Sequence, residues 1–90
     1  MRVGRTVKVT GQVQGVVFRA WTKQQADQLH VSGWVRNCPD GSVEAHLEGD
    51  AEAVDQMIAA MKHGPDGAKV DRQEVAEAPA GHADRFDIRH

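Results

Sequence analysis

Apolar and polar residues alternate along this chain with two distinct periods. Val7 and Val9 alternate with Thr6, Lys8 and Thr10, which predicts a strand ending at Gly11. From 18 to 29 the period lengthens, and Phe18, Thr22, Ala26 and Leu29 fall on one helical face. Ser32-Gly33 interrupts, and Trp34-Val35-Arg36-Asn37 reads as a second strand. Pro39-Asp40-Gly41 is a tight turn: Pro presets φ, Asp bonds locally and Gly accepts a positive φ. Val43, Ala45 and Leu47 then alternate with Glu44, His46 and Glu48, a strand with one buried and one wet face. The two strands and the turn make a hairpin. Asp50 is placed to cap the next helix, whose Val54, Met57, Ile58 and Met61 follow the i, i+3, i+4, i+7 pattern until Gly64-Pro65 stops it. Ala68–Val75 reads as a strand and Ala76–Asp84 as a connector without period. Phe86 and Ile88, alternating with Arg85, Asp87 and Arg89, predict a short closing strand.

The order β-α-β-β-α-β, plus the closing strand, predicts an α+β, ferredoxin-like sandwich: an antiparallel sheet with both helices on one face. Ninety residues make a single domain, 1–90. Apolar residues are 40% of the chain, and Ala and Val supply 12 each. Such a core packs β-branched strands against Ala-lined helices and leaves little volume for an enclosed organic cofactor. No apolar run approaches the roughly 20 residues of a membrane span, and no signal peptide is expected. The lone Cys38 cannot form an internal disulfide, so a reducing, cytoplasmic location is expected.

The net charge of −2 argues against a general nucleic-acid binder. Its distribution is uneven. Residues 1–36 hold six Lys/Arg against Asp27 alone, whereas residues 37–90 hold five Lys/Arg against twelve Asp/Glu. A positive first third either reflects topology alone or serves a small anion.

Gly11-Gln12-Val13-Gln14-Gly15-Val16-Val17-Phe18-Arg19 joins the first strand to the first helix. Gly11 and Gly15 bracket the loop and allow close backbone approach to a ligand. No Ser, Thr, Asp or Asn stands at the helix start to satisfy its free N–H groups. Arg19 sits near the first turn, where the helix dipole disfavours a cation. A phosphate in the loop would resolve all three features by accepting those N–H groups and pairing with Arg19. The plain alternative is a turn with water on the helix end and a solvated Arg19. Neither the P-loop pattern nor the dinucleotide fingerprint is present.

Gly11–Arg19 with Thr22 and Ala26, then Gly33-Trp34-Val35-Arg36-Asn37, then Asp40-Gly41-Ser42-Val43-Glu44, resembles the acylphosphatase family. The resemblance extends to Gly64-Pro65 and Phe86-Asp87-Ile88-Arg89 and so covers most of the chain. It implies hydrolysis of the carboxyl–phosphate anhydride of acyl phosphates to carboxylate and inorganic phosphate, which serves as product and inhibitor. The catalytic residues it implies are Arg19 and Asn37. The phosphate-binding loop it implies is Gln14, Gly15, Val16, Val17 and Phe18, acting through backbone N–H groups. No metal or other cofactor is implied. Where family members often carry Leu-Gly after the first helix, this chain has Leu29-His30, which bears on local stability rather than on catalysis.

Other candidates carry less. His30, His46, His63, His82 and His90 are scattered without ligand spacing, so no metal site is expected. Cys38 reads as a reduced thiol near a turn. Trp21 and Trp34 read as packing residues, and Lys8, Lys23 and Arg36 as solvated. A non-catalytic anion-binding regulatory module on the same fold is the competing reading, although such a binder has no need of Asn37. An acylphosphatase-like domain of a larger carbamoyl-phosphate-using protein and an RNA-binding domain are further readings. The latter lacks sheet aromatics on the first and third strands. A monomer is expected, because no apolar stripe is left over.

Overall fold

The computed structural model describes residues 1–14 and 17–89. The chain runs β1 (Arg2–Gln12), α1 (Phe18–Leu29), β2 (Ser32–Asn37), β3 (Val43–Asp50), α2 (Ala51–His63), β4 (Lys69–Ala78) and β5 (Phe86–Arg89). The strands form one sheet in the order β4-β1-β3-β2-β5. Its four-stranded core is antiparallel, as the alternation predicts. α1 covers β2 and β5, α2 covers β1, β3 and β4, and the two helices touch.

The β1–β3 register explains the core. Val7 pairs with Ala45 and Val9 with Val43, so one face of both strands is apolar. Together with Val35, Leu47 and Phe86 these residues are fully or almost fully buried against Phe18, Ala26, Val54, Met57 and Met61 of the helices. Burying a side chain of Val size contributes roughly 1.5 kcal/mol or more, so the repeated valines hold the sandwich together.

The closing strand departs from an all-antiparallel sheet: β5 pairs with β2 in parallel, Gly33 opposite Phe86 and Val35 opposite Ile88. The cause is topological. β4 runs opposite to β2, so it ends at the end of the sheet where β2 begins. Residues 79–85 cross that end, and a strand starting there must run alongside β2 in the same direction.

β4 also extends beyond the predicted span, because Ala76 and Ala78 pair with Thr6 and Gly4. Gly11 lies within β1 rather than against a ligand. A register shift follows Thr10, φ is 132°, and a Cβ there would stand 2.2 Å from the Lys69 carbonyl oxygen.

Two polar residues behave differently from the sequence expectation. Asp50 precedes α2 but makes no side-chain cap; its Oδ1 accepts from the Met1 ammonium at 3.0 Å. β1 pairing places Met1 beside the helix start, and the Met1 carbonyl takes the Ala51 N–H at 2.9 Å. Glu48, expected on the wet face, is only 4% exposed. Segment 79–85 lies against it, with Arg2 Nη2 donating both to Glu48 Oε1 (2.8 Å) and to the Ala83 carbonyl (3.1 Å). Burial, the largest single influence, pushes the Glu48 carboxyl up. Hydrogen bonds with His46 and Arg2 and from the Ala83 N–H outweigh it, so the group stays below its ordinary value.

α1 ends in a Schellman arrangement. The Val31 N–H reaches the Ala26 carbonyl at 2.9 Å, the His30 N–H reaches the Asp27 carbonyl at 3.4 Å, and His30 adopts φ 58°. That left-handed conformation is unfavourable for a residue with a Cβ. His30→Gly should therefore stabilise the fold by roughly 1 kcal/mol. A rise in the urea midpoint at unchanged m-value is the expected reading, and an unchanged or lower midpoint contradicts it.

Candidate active site

Three chain segments leave the sheet at one end. β1 finishes at Gln12, β2 at Asn37 and β5 at Arg89. Because β2 and β5 are parallel to each other and β1 runs with them, the loop before α1, the β2–β3 hairpin and the end of β5 meet there.

The start of α1 has no side-chain cap. Val17 precedes the helix at φ 52°, ψ 30°, donates no cap and is 74% exposed. The first turn contains no acidic residue. A β-branched residue in the left-handed region is a true conformational outlier, and strain of this kind gathers at ligand sites. A left-handed residue followed by a helical one is a combination that can form an anion nest. Phe18 anchors the turn. It is 2% exposed, meets Trp21 edge to face at 5.4 Å, and its carbonyl accepts the Thr22 hydroxyl at 2.8 Å. Gly15 and Val16 lie outside the described residues.

Arg19 follows Phe18 and turns toward the sheet edge, where its Nη1 donates to the Arg89 carbonyl at 2.9 Å. That bond orients the guanidinium against the end of β5. Elsewhere in the positive first third, Arg2, Lys8, Lys23 and Arg36 each meet a carboxylate: Glu48, Asp40, Asp27 and Glu44.

Asn37 ends β2 on the same side of the sheet as buried Val35, and it is exposed. The hairpin behind it is closed by hydrogen bonds. The Cys38 N–H reaches the Ser42 carbonyl at 2.8 Å, and the Gly41 N–H reaches the Cys38 carbonyl at 3.1 Å. Asp40 Oδ1 accepts from the Ser42 N–H and hydroxyl, while Oδ2 accepts from Lys8 Nζ at 3.0 Å. Arg19 and Asn37 share one cleft of about 370 Å³ with Val13, Val17, Phe18, Ala20 and Ile88. One cation, one neutral amide and an apolar wall suit a ligand with an anionic head and an organic remainder.

The acylphosphatase family model matches residues 5–88, nearly the whole chain. The chain belongs to the acylphosphatase family. It is 58% identical over 71 residues to an acylphosphatase of Alcanivorax borkumensis, covering 79% of this chain and 77% of that one. It is 46% identical to an acylphosphatase of Geobacter sulfurreducens across 100% of both chains. The crystal structure of acylphosphatase from Bacillus subtilis superposes with a TM-score of 0.93 at 35% identity, again with 100% of both chains covered.

Within this acylphosphatase domain the structure brings together four of the residues singled out from sequence. Val17, Phe18, Arg19 and Asn37 line the one cleft. Gln14 turns its side chain onto the hairpin. Val13, Ala20 and Ile88 also line the cleft and were not singled out. Ile88 was accessible in principle, since its alternation with Phe86 places it on the helix-facing side of β5. Lys8, Lys23 and Arg36 are not simply solvated. Besides their ion pairs, Lys23 donates to the Phe86 carbonyl at 3.1 Å and Arg36 stands 5.7 Å from the Trp34 ring. Trp34 lies on the open face of the sheet, stacked by His46 at 6.1 Å and covered by Arg89 at 4.6 Å. No three His, Cys, Asp or Glu side chains converge among the described residues, and none of the described helices is long and apolar enough to cross a membrane.

The hairpin carries a pH signature. The Ser42 hydroxyl, the Ser42 N–H and the Lys8 ammonium hold the Asp40 carboxyl well below its ordinary value of 3.8. The folded chain then binds that proton less readily than the unfolded chain. The stabilisation is complete above the ordinary carboxylate range and fades as pH falls below it, toward the folded value. Unfolding midpoints followed from about pH 6 to about pH 2 should drop less steeply for Asp40→Asn than for the parent chain. Equal slopes would remove Asp40 as a source of acid sensitivity.

Proposed function

We propose that the cleft hydrolyses the carboxyl–phosphate anhydride of acyl phosphates, with Arg19 and the loop amides binding the phosphoryl group and Asn37 holding the attacking water. Acyl phosphate hydrolysis itself follows from membership of the family. The observation that supports the residue roles is the shared cleft, lined both by Arg19 at an uncapped helix start and by the exposed Asn37 at the end of β2.

The loop donors are the backbone N–H groups of Gln14, Gly15, Val16, Val17 and Phe18. Arg19 adds a planar fork of donors that can hold a backbone carbonyl and phosphoryl oxygens together. These groups stabilise charge as it redistributes on phosphorus. Asn37 orients a water for in-line attack. An amide is no base, but none is demanded, because phosphoryl transfer has a loose transition state. The leaving carboxylate has a parent acid with pKa about 4, so it departs unprotonated. Water forms the new P–O bond as the anhydride P–O bond breaks, and its protons pass to solvent and to the released phosphate. Positioning and electrostatics then suffice. Inorganic phosphate is the product and a competitive occupant of the cradle. The chain works as a cytoplasmic monomer on a small molecule, without nucleic acid or metal.

Benzoyl phosphate hydrolysis in EDTA, beside a phosphate monoester control, tests the reading. Hydrolysis of the acyl phosphate alone is the expected result, and a folded sample that leaves it intact would favour the non-catalytic anion-binding module. Arg19→Lys keeps the charge but loses the fork, and should cut kcat on the order of 100-fold. A near-parental rate would discard the guanidinium role. Asn37→Ala should cut kcat on the order of 100-fold while leaving phosphate inhibition nearly unchanged. The opposite split, weak phosphate inhibition at parental kcat, would make Asn37 a phosphate ligand instead.

A further inference from the structure

We propose that Gln14 is a positioning residue whose side-chain amide fastens the hairpin carrying Asn37 to the phosphate-binding loop. The inference rests on the roles of Arg19 and Asn37 given above and adds to them a side chain whose backbone alone had been assigned a role.

Gln14 Nε2 donates to the Cys38 carbonyl at 2.9 Å and to the Ser42 carbonyl at 2.8 Å. A primary amide nitrogen has two N–H groups, and this pair of acceptors uses both. The orientation is determined by chemistry, because the amide oxygen turned the same way would face two carbonyl oxygens. The two acceptors stand on opposite sides of the hairpin neck. Cys38 follows Asn37 directly, and the Ser42 carbonyl already receives the Cys38 N–H that closes the hairpin. Gln14 therefore ties the first loop residue after Val13 to the residue that follows Asn37. Across the hairpin tip, Lys8 holds Asp40 from β1. Without the Gln14 brace, Asn37 keeps its strand pairing but loses its fixed spacing from the phosphate cradle. A displacement of about 1 Å at such a site is enough to cost a large factor in rate.

The test is a double-mutant cycle on benzoyl phosphate, reading kcat and KM for the parent, Gln14→Met, Asn37→Ala and the double variant. Gln14→Met keeps the length of the side chain and removes both donors. It should lower kcat about 10-fold with a small change in KM. In the Asn37→Ala background the same substitution should change kcat by less than about 2-fold, since there is no Asn37 left to position. Gln14→Glu keeps the shape but points oxygens at both carbonyls, and at neutral pH it should lose at least as much kcat as Gln14→Met. Losses that multiply across the cycle would overturn the proposal, as would parental kcat in either Gln14 variant. Should Gln14→Met prove unfolded by circular dichroism, the Gln14→Glu arm of the same cycle decides. Parental kcat in Asn37→Ala alone overturns the water-positioning role and the brace with it, an outcome told apart by that single variant.

Discussion

The pairing of β1 with β3 is the constraint on which the site depends. Opposing Val7 to Ala45 and Val9 to Val43 sets which faces are apolar. A slip of one residue would turn every one of those valines to water. The same register sets where β1 ends relative to the β2–β3 hairpin, since β2 is paired on the other edge of β3. The loop that precedes α1 and the strand end that presents Asn37 are therefore brought to one level by hydrophobic burial. No polar contact between them is needed for that first approximation.

Polar contacts then refine what burial roughly places. Lys8, within β1, reaches Asp40 at the tip of the hairpin, and Arg19 leans on the carbonyl of Arg89. Such bonds add little stability where they are exposed. Their effect is geometric: each links an element of the candidate site to a different strand. β5 matters here beyond closing the core. Its parallel approach to β2 puts its last carbonyl within reach of α1, and Ile88 forms part of the cleft wall.

Much of this was legible in the residues themselves. Both helices, the hairpin with its Pro39-Asp40-Gly41 turn and the uncapped start of α1 follow from local periodicity and capping chemistry. What was hidden depends on partners distant in sequence. Asp50 has the chemistry of a cap, but β1 delivers the Met1 ammonium and carbonyl to that spot first. Glu48 alternates as an exposed residue should, yet segment 79–85 covers it, and no local signal announces where a connector without period will lie. Gly11 looked like a ligand glycine and is a packing glycine, because its open side faces the backbone of β4. At the site, the sequence motif marked Arg19 and Asn37, whereas Ala20 and Ile88 needed the tertiary fold to bring them to the cleft.

The nature of the core bears on the nature of the chemistry. The sandwich is filled mainly by valine and alanine, and the cleft that holds Arg19 and Asn37 opens at the end of the sheet. Hydrolysis of an activated anhydride relies on a substrate that carries its own driving force. Acyl phosphates meet that condition, since the leaving carboxylate is stable unprotonated and the phosphoryl group transfers through a loose transition state. On the proposed reading the protein then supplies oriented donors and a cation at the cleft. On that reading the donors are backbone N–H groups at the strained entry to α1 and the partly exposed Arg19 guanidinium, which also holds the Arg89 carbonyl, and neither requires a deeply buried ionised group to be desolvated. Of the other cations of the first third, Arg2, Lys8, Lys23 and Arg36 each pair with an acid, so their charges are committed to ion pairs that join elements of the fold.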